Sequence, residues 1–303
     1  MARRLADQPR KHESTKPMFF SCFRVFVAML LALTTASAVA AQQTFTGRLS
    51  DSTCAASHQL KAAADTDRQC LLACIKALAK YVLVDQNNQV IPIANQDAMG
   101  LPLYAGRPVK ITGEQRGGSI VVARVEAIPA HLHIGHVMTN WRDTPGGRGF
   151  LPVAVDETRV AVQHATLAAA SANLDDIRLH AGHVLHALDP AVQPAGPGAG
   201  YGVKKAAAGA LQHLDFAAKA DGATSNVTTH ATQASSSLSA VTALVDQAID
   251  IAQRARSAAK GDDAARLAAD LAAVTRRISD GLQPAVAEMN LMLKAEGLLG
   301  APR

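Results

Sequence analysis

The second half of the chain carries one long helical pattern, and this pattern restricts the possible folds more than any other feature. From Leu151 onward, small and branched apolar residues recur at helical spacing with only short interruptions. Asn173 and Asp175 can cap the second helix, and Pro190 ends it. Long helices with short connections predict an all-α antiparallel helical bundle over residues 151–297. The candidate helices cover residues 153–170, 174–188, 202–220, 226–258 and 263–295.

Residues 44–128 have a different pattern, because short β-rich runs replace the helical spacing. The turn Arg116-Gly117-Gly118 favours a hairpin between the last two runs. About five strands with one helix predict a small α+β domain, and a partly open barrel of the OB type is its expected form. Strands are predicted at residues 44–49, 81–84, 90–93, 109–112 and 119–125, and a helix at 67–80.

The segment between these two regions, residues 129–150, matches neither pattern. It contains three histidines, the only tryptophan (Trp141) and the turn Pro145-Gly146-Gly147. We interpret it as a linker that packs on the helical bundle.

The N-terminus has the features of a removable targeting segment. The apolar run Val25–Ala41 follows Arg24 and ends in overlapping Ala-x-Ala sites, which predicts a signal peptide over residues 1–41. The run is shorter than the roughly 20 apolar residues of a membrane-spanning helix. We therefore expect a periplasmic or secreted protein with no stable membrane span after signal removal; a retained N-terminal anchor is the alternative. Met18 is a possible second start.

The net charge of the exported part argues against nucleic acid as a partner. Of the 30 basic and 25 acidic residues, six and two lie in residues 1–41, which leaves 24 and 23. A nearly neutral chain has little general attraction for a phosphate backbone.

A cluster of cysteines with one histidine is the first candidate site, and it comprises Cys54, His58, Cys70 and Cys74. The thiols of Cys70 and Cys74 share one helical face and can both face the loop of Cys54. A structural disulfide from Cys54 to either one is the first alternative. A Cys3His site for zinc or copper is the second, and a redox-active thiol is the third.

The histidines of the bundle are the second candidate site. The candidate ligands are His164, His180, His183, His213 and His230. Helical spacing predicts that His164, His213 and His230 converge inside the bundle and that His180, His183 and His186 face outward or toward the linker with His133 and His136. Such a set can hold zinc, copper, iron or non-covalent haem. The alternative is a scatter of structural or surface histidines.

The usual catalytic motifs are absent from the sequence. It contains no Cys-x-x-Cys-His for covalent haem, no His-Glu-x-x-His and no Gly-x-Ser-x-Gly. We therefore favour an exported, non-enzymatic binding protein with a transition metal or haem as ligand. The alternative is a structural or interaction protein of the cell envelope, stabilised by a disulfide and able to bind another envelope protein.

Two segments resemble uncharacterised families. Residues 47–54 (GRLSDSTC), His58 and the helix Cys70-x3-Cys74-Ile75-Lys76 resemble small secreted bacterial domains over about residues 44–128, although those domains usually have glycine where Ala55 stands here. Residues 133–138 (HIGHVM) and 179–184 (LHAGHV) resemble histidine-containing periplasmic bundles. The resemblance implies export and a division into two parts, and it implies no activity.

Overall fold

The computed structural model describes residues 42–57 and 67–298. The predicted signal peptide and His58 lie outside the described residues. The first elements are β1 (Gln43–Asp51), α1 (Asp67–Lys76), β2 (Tyr81–Val84), β3 (Val90–Pro92), β4 (Pro108–Arg116) and β5 (Ser119–Ala127). They are followed by α2 (Pro129–Met138), a 3-10 turn (Pro145–Gly147), α3 (Phe150–Ala170), α4 (Leu174–Leu188), α5 (Val203–Lys219), α6 (Ser225–Ser257) and α7 (Gly261–Ala295).

The strands form one antiparallel sheet of five strands in the order β3-β2-β1-β4-β5. Burial alternates along the first part of β4, as expected for a strand with one face on a core. Leu71 of α1 is fully buried in that core with Leu49 and Leu83. The five predicted strands and the helix after residue 67 are therefore confirmed, with α1 ending at Lys76 rather than at residue 80.

The two edge strands of the sheet approach each other near the end of β3. An isolated bridge joins Ile93, just after β3, to Ile120 of β5. One bridge is not a ladder, so we describe the element as an antiparallel sheet and not as a closed barrel.

The helices pack around a core of small side chains. Neighbouring helices joined by a few residues lie side by side, which makes them antiparallel. Alanines such as Ala161, Ala210 and Ala248 are fully buried, and they allow the backbones of neighbouring helices to approach closely. The five helices predicted from residue 153 onward are present, with ends within three residues of the prediction. The sheet and helices belong to one compact unit that begins at Gln42.

The predicted linker over residues 129–150 is wrong in its first half. Its first ten residues form α2, which buries Ala130, Ile134 and Val137 in the bundle core. Pro129 occupies the first turn, where a proline is tolerated because that N–H has no helical partner. The bundle therefore starts at residue 129 and not at 151.

A buried carboxylate joins α3 to the glycine-rich loop before α5. Glu157 is 1% exposed, and its Oε1 accepts hydrogen bonds from the backbone N–H groups of Tyr201 (2.9 Å) and Gly202 (3.3 Å). Gly202 has φ +84°, a conformation that favours glycine. These bonds fix the start of α5 against α3.

Within residues 42–57 and 67–298, no helix combines the length and the apolar character that crossing a membrane requires.

Candidate metal centres

Three histidine side chains from two helices meet at one point, which we call the first histidine centre. His133 and His136 lie one turn apart on α2, and His213 lies on α5. The Nδ1 atom of His213 is 3.0 Å from Nδ1 of His133 and 3.3 Å from Nδ1 of His136. All three ligand atoms lie within 4.8 Å of one another. Since residues three apart share a helix face, α2 presents two imidazoles to α5.

Aromatic side chains surround the first histidine centre. The ring of Trp141 lies 5.0 Å from that of His213, and Phe150 stacks on His213 at 5.5 Å between ring centroids. Phe150 has this place because residue 209 is glycine: a Cβ there would lie 2.5 Å from the Phe150 ring. His213 is only 6% exposed, so its ring is held by packing as well as by its histidine neighbours.

A second set of three histidines has the same arrangement, and we call it the second histidine centre. His180 and His183 lie one turn apart on α4, and His164 lies on α3. Nδ1 of His164 is 3.1 Å from Nδ1 of His180 and 3.3 Å from Nδ1 of His183. These three ligand atoms also lie within 4.8 Å of one another.

The distances between the nitrogens match those between ligands on one metal ion. Zinc binds imidazole nitrogen at about 2.0–2.1 Å, and tetrahedral geometry then places two nitrogens about 3.3–3.4 Å apart. The separations from the single histidine to its two partners are 3.0 and 3.3 Å in the first centre and 3.1 and 3.3 Å in the second. Nitrogens this close leave no slot for the flat ring of a haem between them. The arrangement therefore fits a single ion rather than a macrocycle.

The protonation of these rings also suits a cation. Burial lowers the pKa of His133, His136, His164, His183 and His213 below the ordinary imidazole value of 6.5, that of His213 to about 4. These five rings are therefore neutral at pH 7, which is the form that binds metals. A neutral ring carries one N–H, so three converging Nδ1 atoms cannot all be satisfied by hydrogen bonds among themselves. A cation between them satisfies all three lone pairs.

A cavity adjoins the first histidine centre. It has a volume of about 630 Å³ and is lined by His136 together with Arg68, Arg107, Arg148 and Asn140. His136 thus lies between this cavity and the other two histidines of the centre.

The two centres are related by an internal repeat in the sequence. Residues 132–137 (LHIGHV) match residues 179–184 (LHAGHV), and residues 161–164 (AVQH) match 210–213 (ALQH). Along the chain, α2 therefore carries a histidine pair, α3 a single histidine, α4 a second pair and α5 a second single histidine. The outer two elements, α2 and α5, make the first centre, and the inner two, α3 and α4, make the second. This repeat is the sequence signal that singles out His133 and His136 as candidate ligands, which the spacing within single helices did not.

The predicted convergence of His164, His213 and His230 is wrong. His164 and His213 belong to different centres, and His230 on α6 instead pairs with Glu288, with 2.6 Å between Nδ1 and Oε2. The physical reason is α2, which covers the face of α5 that carries His213 and was not predicted as a helix.

The prediction that the α4 histidines face outward or toward the linker with His133 and His136 is also wrong. His180 and His183 face His164 on α3. His186 is 5% exposed, and its Nδ1–H donates to the backbone carbonyl of Gln193 at 2.8 Å. The glycine-rich loop after α4 covers this side of the helix, because Gly196 lies directly against the His186 ring.

Three cysteine side chains form a third cluster, which we call the thiol centre. Cys54 lies in the turn after β1, and Cys70 and Cys74 lie one turn apart on α1. The Cys54 Sγ atom is 3.9 Å from the Sγ of each of the other two. All three are free cysteines in the part of the chain that the structure describes. His58, the fourth predicted member, lies outside the described residues.

Burial sets the protonation of these thiols. It raises the pKa of Cys74 to about 12 and shifts that of Cys70 in the same direction. Both are therefore protonated thiols at neutral pH unless a cation replaces the proton.

Comparison of the chain with protein-family models, with curated proteins and with solved structures finds no match.

Proposed function

We propose that this chain is an exported protein that binds two divalent transition-metal ions, one at each histidine centre. The observation that carries the proposal is the repeated set of three Nδ1 atoms, each set spaced at 3.0–3.3 Å between neighbours. One histidine cluster can arise from packing alone. Two clusters with the same ligand pattern and similar spacing, built from a repeated sequence, support a shared role, and binding of an ion is the role that three converging imidazole nitrogens fit.

The ligand type narrows the choice of metal. Imidazole nitrogen suits zinc, copper, nickel and iron, whereas calcium and magnesium prefer oxygen ligands. Three protein ligands leave one coordination position for water or a small ligand, as in catalytic zinc sites. We therefore test Zn²⁺ and Cu²⁺ first.

The deciding experiment is metal analysis of the purified protein after dialysis against Zn²⁺ or Cu²⁺. The variants His213→Ala and His164→Ala each remove the single histidine of one centre. Each is expected to lose one equivalent of metal relative to the wild type, and the double variant to lose two.

The matched control is His230→Ala, which removes a bundle histidine outside both centres and is expected to retain the full metal content. A folded wild-type protein that takes up no ion overturns the proposal. A double variant that keeps the wild-type content also overturns it.

The export of the chain is part of the same proposal, supported by the apolar run Val25–Ala41. Mass spectrometry of the protein from a bacterial periplasm is expected to find an N-terminus near residue 41, and an uncleaved chain would contradict it. We also propose that the sheet and α1 form a partly open barrel of the OB type, supported by the bridge between Ile93 and Ile120.

The rival function is a structural or interaction protein of the cell envelope. It predicts a chain that stays free of metal under the conditions above and that contains one free thiol under denaturing conditions.

A further inference from the structure

We infer that the thiol centre is a third metal site, which binds a thiophilic ion, Cu(I) or Zn(II), through the sulfurs of Cys54, Cys70 and Cys74. The inference does not depend on the histidine centres, since it concerns other residues and a softer ligand class.

The spacing of the sulfurs supports coordination. A metal–sulfur bond of about 2.3 Å places two sulfurs about 3.8 Å apart in tetrahedral geometry and about 4.0 Å apart in trigonal geometry. Both measured separations from Cys54 are 3.9 Å. A disulfide needs one partner at about 2.05 Å, whereas here Cys54 faces two partners at the same distance.

The turn that carries Cys54 is held in place by its own hydrogen bonds. The Oδ1 atom of Asp51 accepts bonds from the N–H groups of Thr53 (2.9 Å) and Cys54 (2.8 Å). The Ser50 hydroxyl donates to the carbonyl of Ala55 at 2.6 Å, and the Arg48 guanidinium donates to that of Ala56 at 2.7 Å. Because four hydrogen bonds already fix this turn, the Cys54 sulfur loses little conformational entropy when it binds an ion.

The helix supplies the other two sulfurs. Cys70 and Cys74 are four residues apart on α1, so their side chains lie one above the other on one face. Cys54 and Cys70 are 5% and 6% exposed, and Cys74 is half-buried. An ion can thus enter from the side of Cys74. Binding through three thiolates releases three protons, one from each thiol, and forms three metal–sulfur bonds without oxidation of any sulfur.

The test uses the full chain carrying His164→Ala and His213→Ala, reduced and freed of metal. Cu(I) is titrated against a competing Cu(I) chelator, and Zn²⁺ in a separate arm against a competing zinc dye. We expect one equivalent of one of these ions and an ultraviolet thiolate-to-metal charge-transfer band, which imidazole ligands do not give. The arm with the tighter binding identifies the ion.

Losing a residue that only hydrogen-bonds to a metal ligand weakens metal binding by up to roughly 100-fold. Adding Cys74→Ser removes a ligand itself, so we expect it to weaken binding by more than this. This change is suited to the test because Cys74 is half-buried. The control Ser57→Ala alters the same turn without removing a sulfur and should bind as the parent does.

Circular dichroism checks that each variant folds. If the double histidine variant does not fold, the charge-transfer band is measured instead on the chain with its histidines intact. The inference is overturned if the reduced, folded protein binds neither ion at micromolar concentration. It is also overturned if Cys74→Ser binds as the parent does, or if protein isolated from the periplasm contains a Cys54 disulfide. The histidine centres are scored by their own variants, so the two proposals can fail separately.

Discussion

Ala55 has a backbone conformation that suits glycine better than alanine. Its φ is +48°, in the left-handed region that costs a residue with a Cβ about 1–2 kcal/mol. Glycine adopts this conformation without strain because it has no Cβ.

Replacing Ala55 with glycine should therefore stabilise the protein. We expect Ala55→Gly to raise the free energy of unfolding by up to about 1 kcal/mol and the melting temperature by about 2–4 °C. The neighbouring change Ala56→Gly, at a residue without positive φ, should lower stability by about 0.5–1 kcal/mol. Thermal unfolding of both variants checks this, and a destabilised Ala55→Gly would contradict it.

His213 makes the metal-free protein sensitive to acid. Burial lowers its pKa from 6.5 to about 4, so between these values the unfolded chain binds a proton that the folded chain does not. Stability therefore rises with pH across this window and is lost as the pH falls through it, by up to about 3 kcal/mol.

The variant His213→Leu should reduce this dependence, because leucine does not titrate, whereas the other histidines with a lowered pKa keep their contributions. Urea unfolding of the metal-free protein at pH 4.5 and 7 measures the difference. Gln212→Leu, the adjacent exposed position on α5, is the control and should keep the wild-type slope. A His213→Leu slope equal to that of the wild type would show that another group causes the acid sensitivity.

At the scale of single elements, α5 depends on a glycine in its interior. Alanine is normally better than glycine in a helix by about 1 kcal/mol. At residue 209 the added Cβ would meet the Phe150 ring at 2.5 Å, and Phe150 is itself buried at 4% exposure.

We expect Gly209→Ala to destabilise the protein by about 1–3 kcal/mol and to weaken metal binding at the first histidine centre, since Phe150 stacks on His213. The second centre should be unaffected. Gly261→Ala, at the open start of α7, is the matched control and should be neutral or slightly stabilising. Metal titration and urea unfolding test both; a stabilised Gly209→Ala would contradict the argument.

The sequence predicted elements better than it predicted contacts between them. Tyr81–Val84 and Leu174–Leu188 were predicted with the observed ends, because β-branched runs and helix caps are local features. The helix α2 was missed since its ten residues are short for a periodic pattern and begin with proline. The candidate site shows the same contrast between local features and contacts. Cysteine and histidine were predicted as the candidate ligand types from the sequence. Which side chains come together depends on which helices face each other.

Across the whole molecule, the first histidine centre joins two distant parts of the chain. His133 and His213 are 80 residues apart in sequence, and α2 directly follows the sheet. An ion bound here should suppress local opening of α2, because opening would break its bonds to two ligands.

Hydrogen exchange can test this. Saturating Zn²⁺ should slow amide exchange in α2 by about 100-fold in the wild type when the free ion exceeds its Kd 100-fold. His164→Ala should retain the effect, and His213→Ala should lose it. Equal exchange in α2 with and without zinc, in protein shown to hold the ion, would contradict the link.

Each of the two centres has three histidines as candidate ligands, but the sequence separation between these histidines differs between the centres. The second centre gathers residues only 16 and 19 positions apart, whereas the first must close a loop of 80. Loop closure costs an unfolded chain about 1 kcal/mol more for the longer span. If each centre binds an ion as proposed, the pair of helices α3 and α4 can capture its ion before the rest of the bundle has formed. The first centre exists only once α2 has met α5, so an ion held there marks a chain that has finished folding.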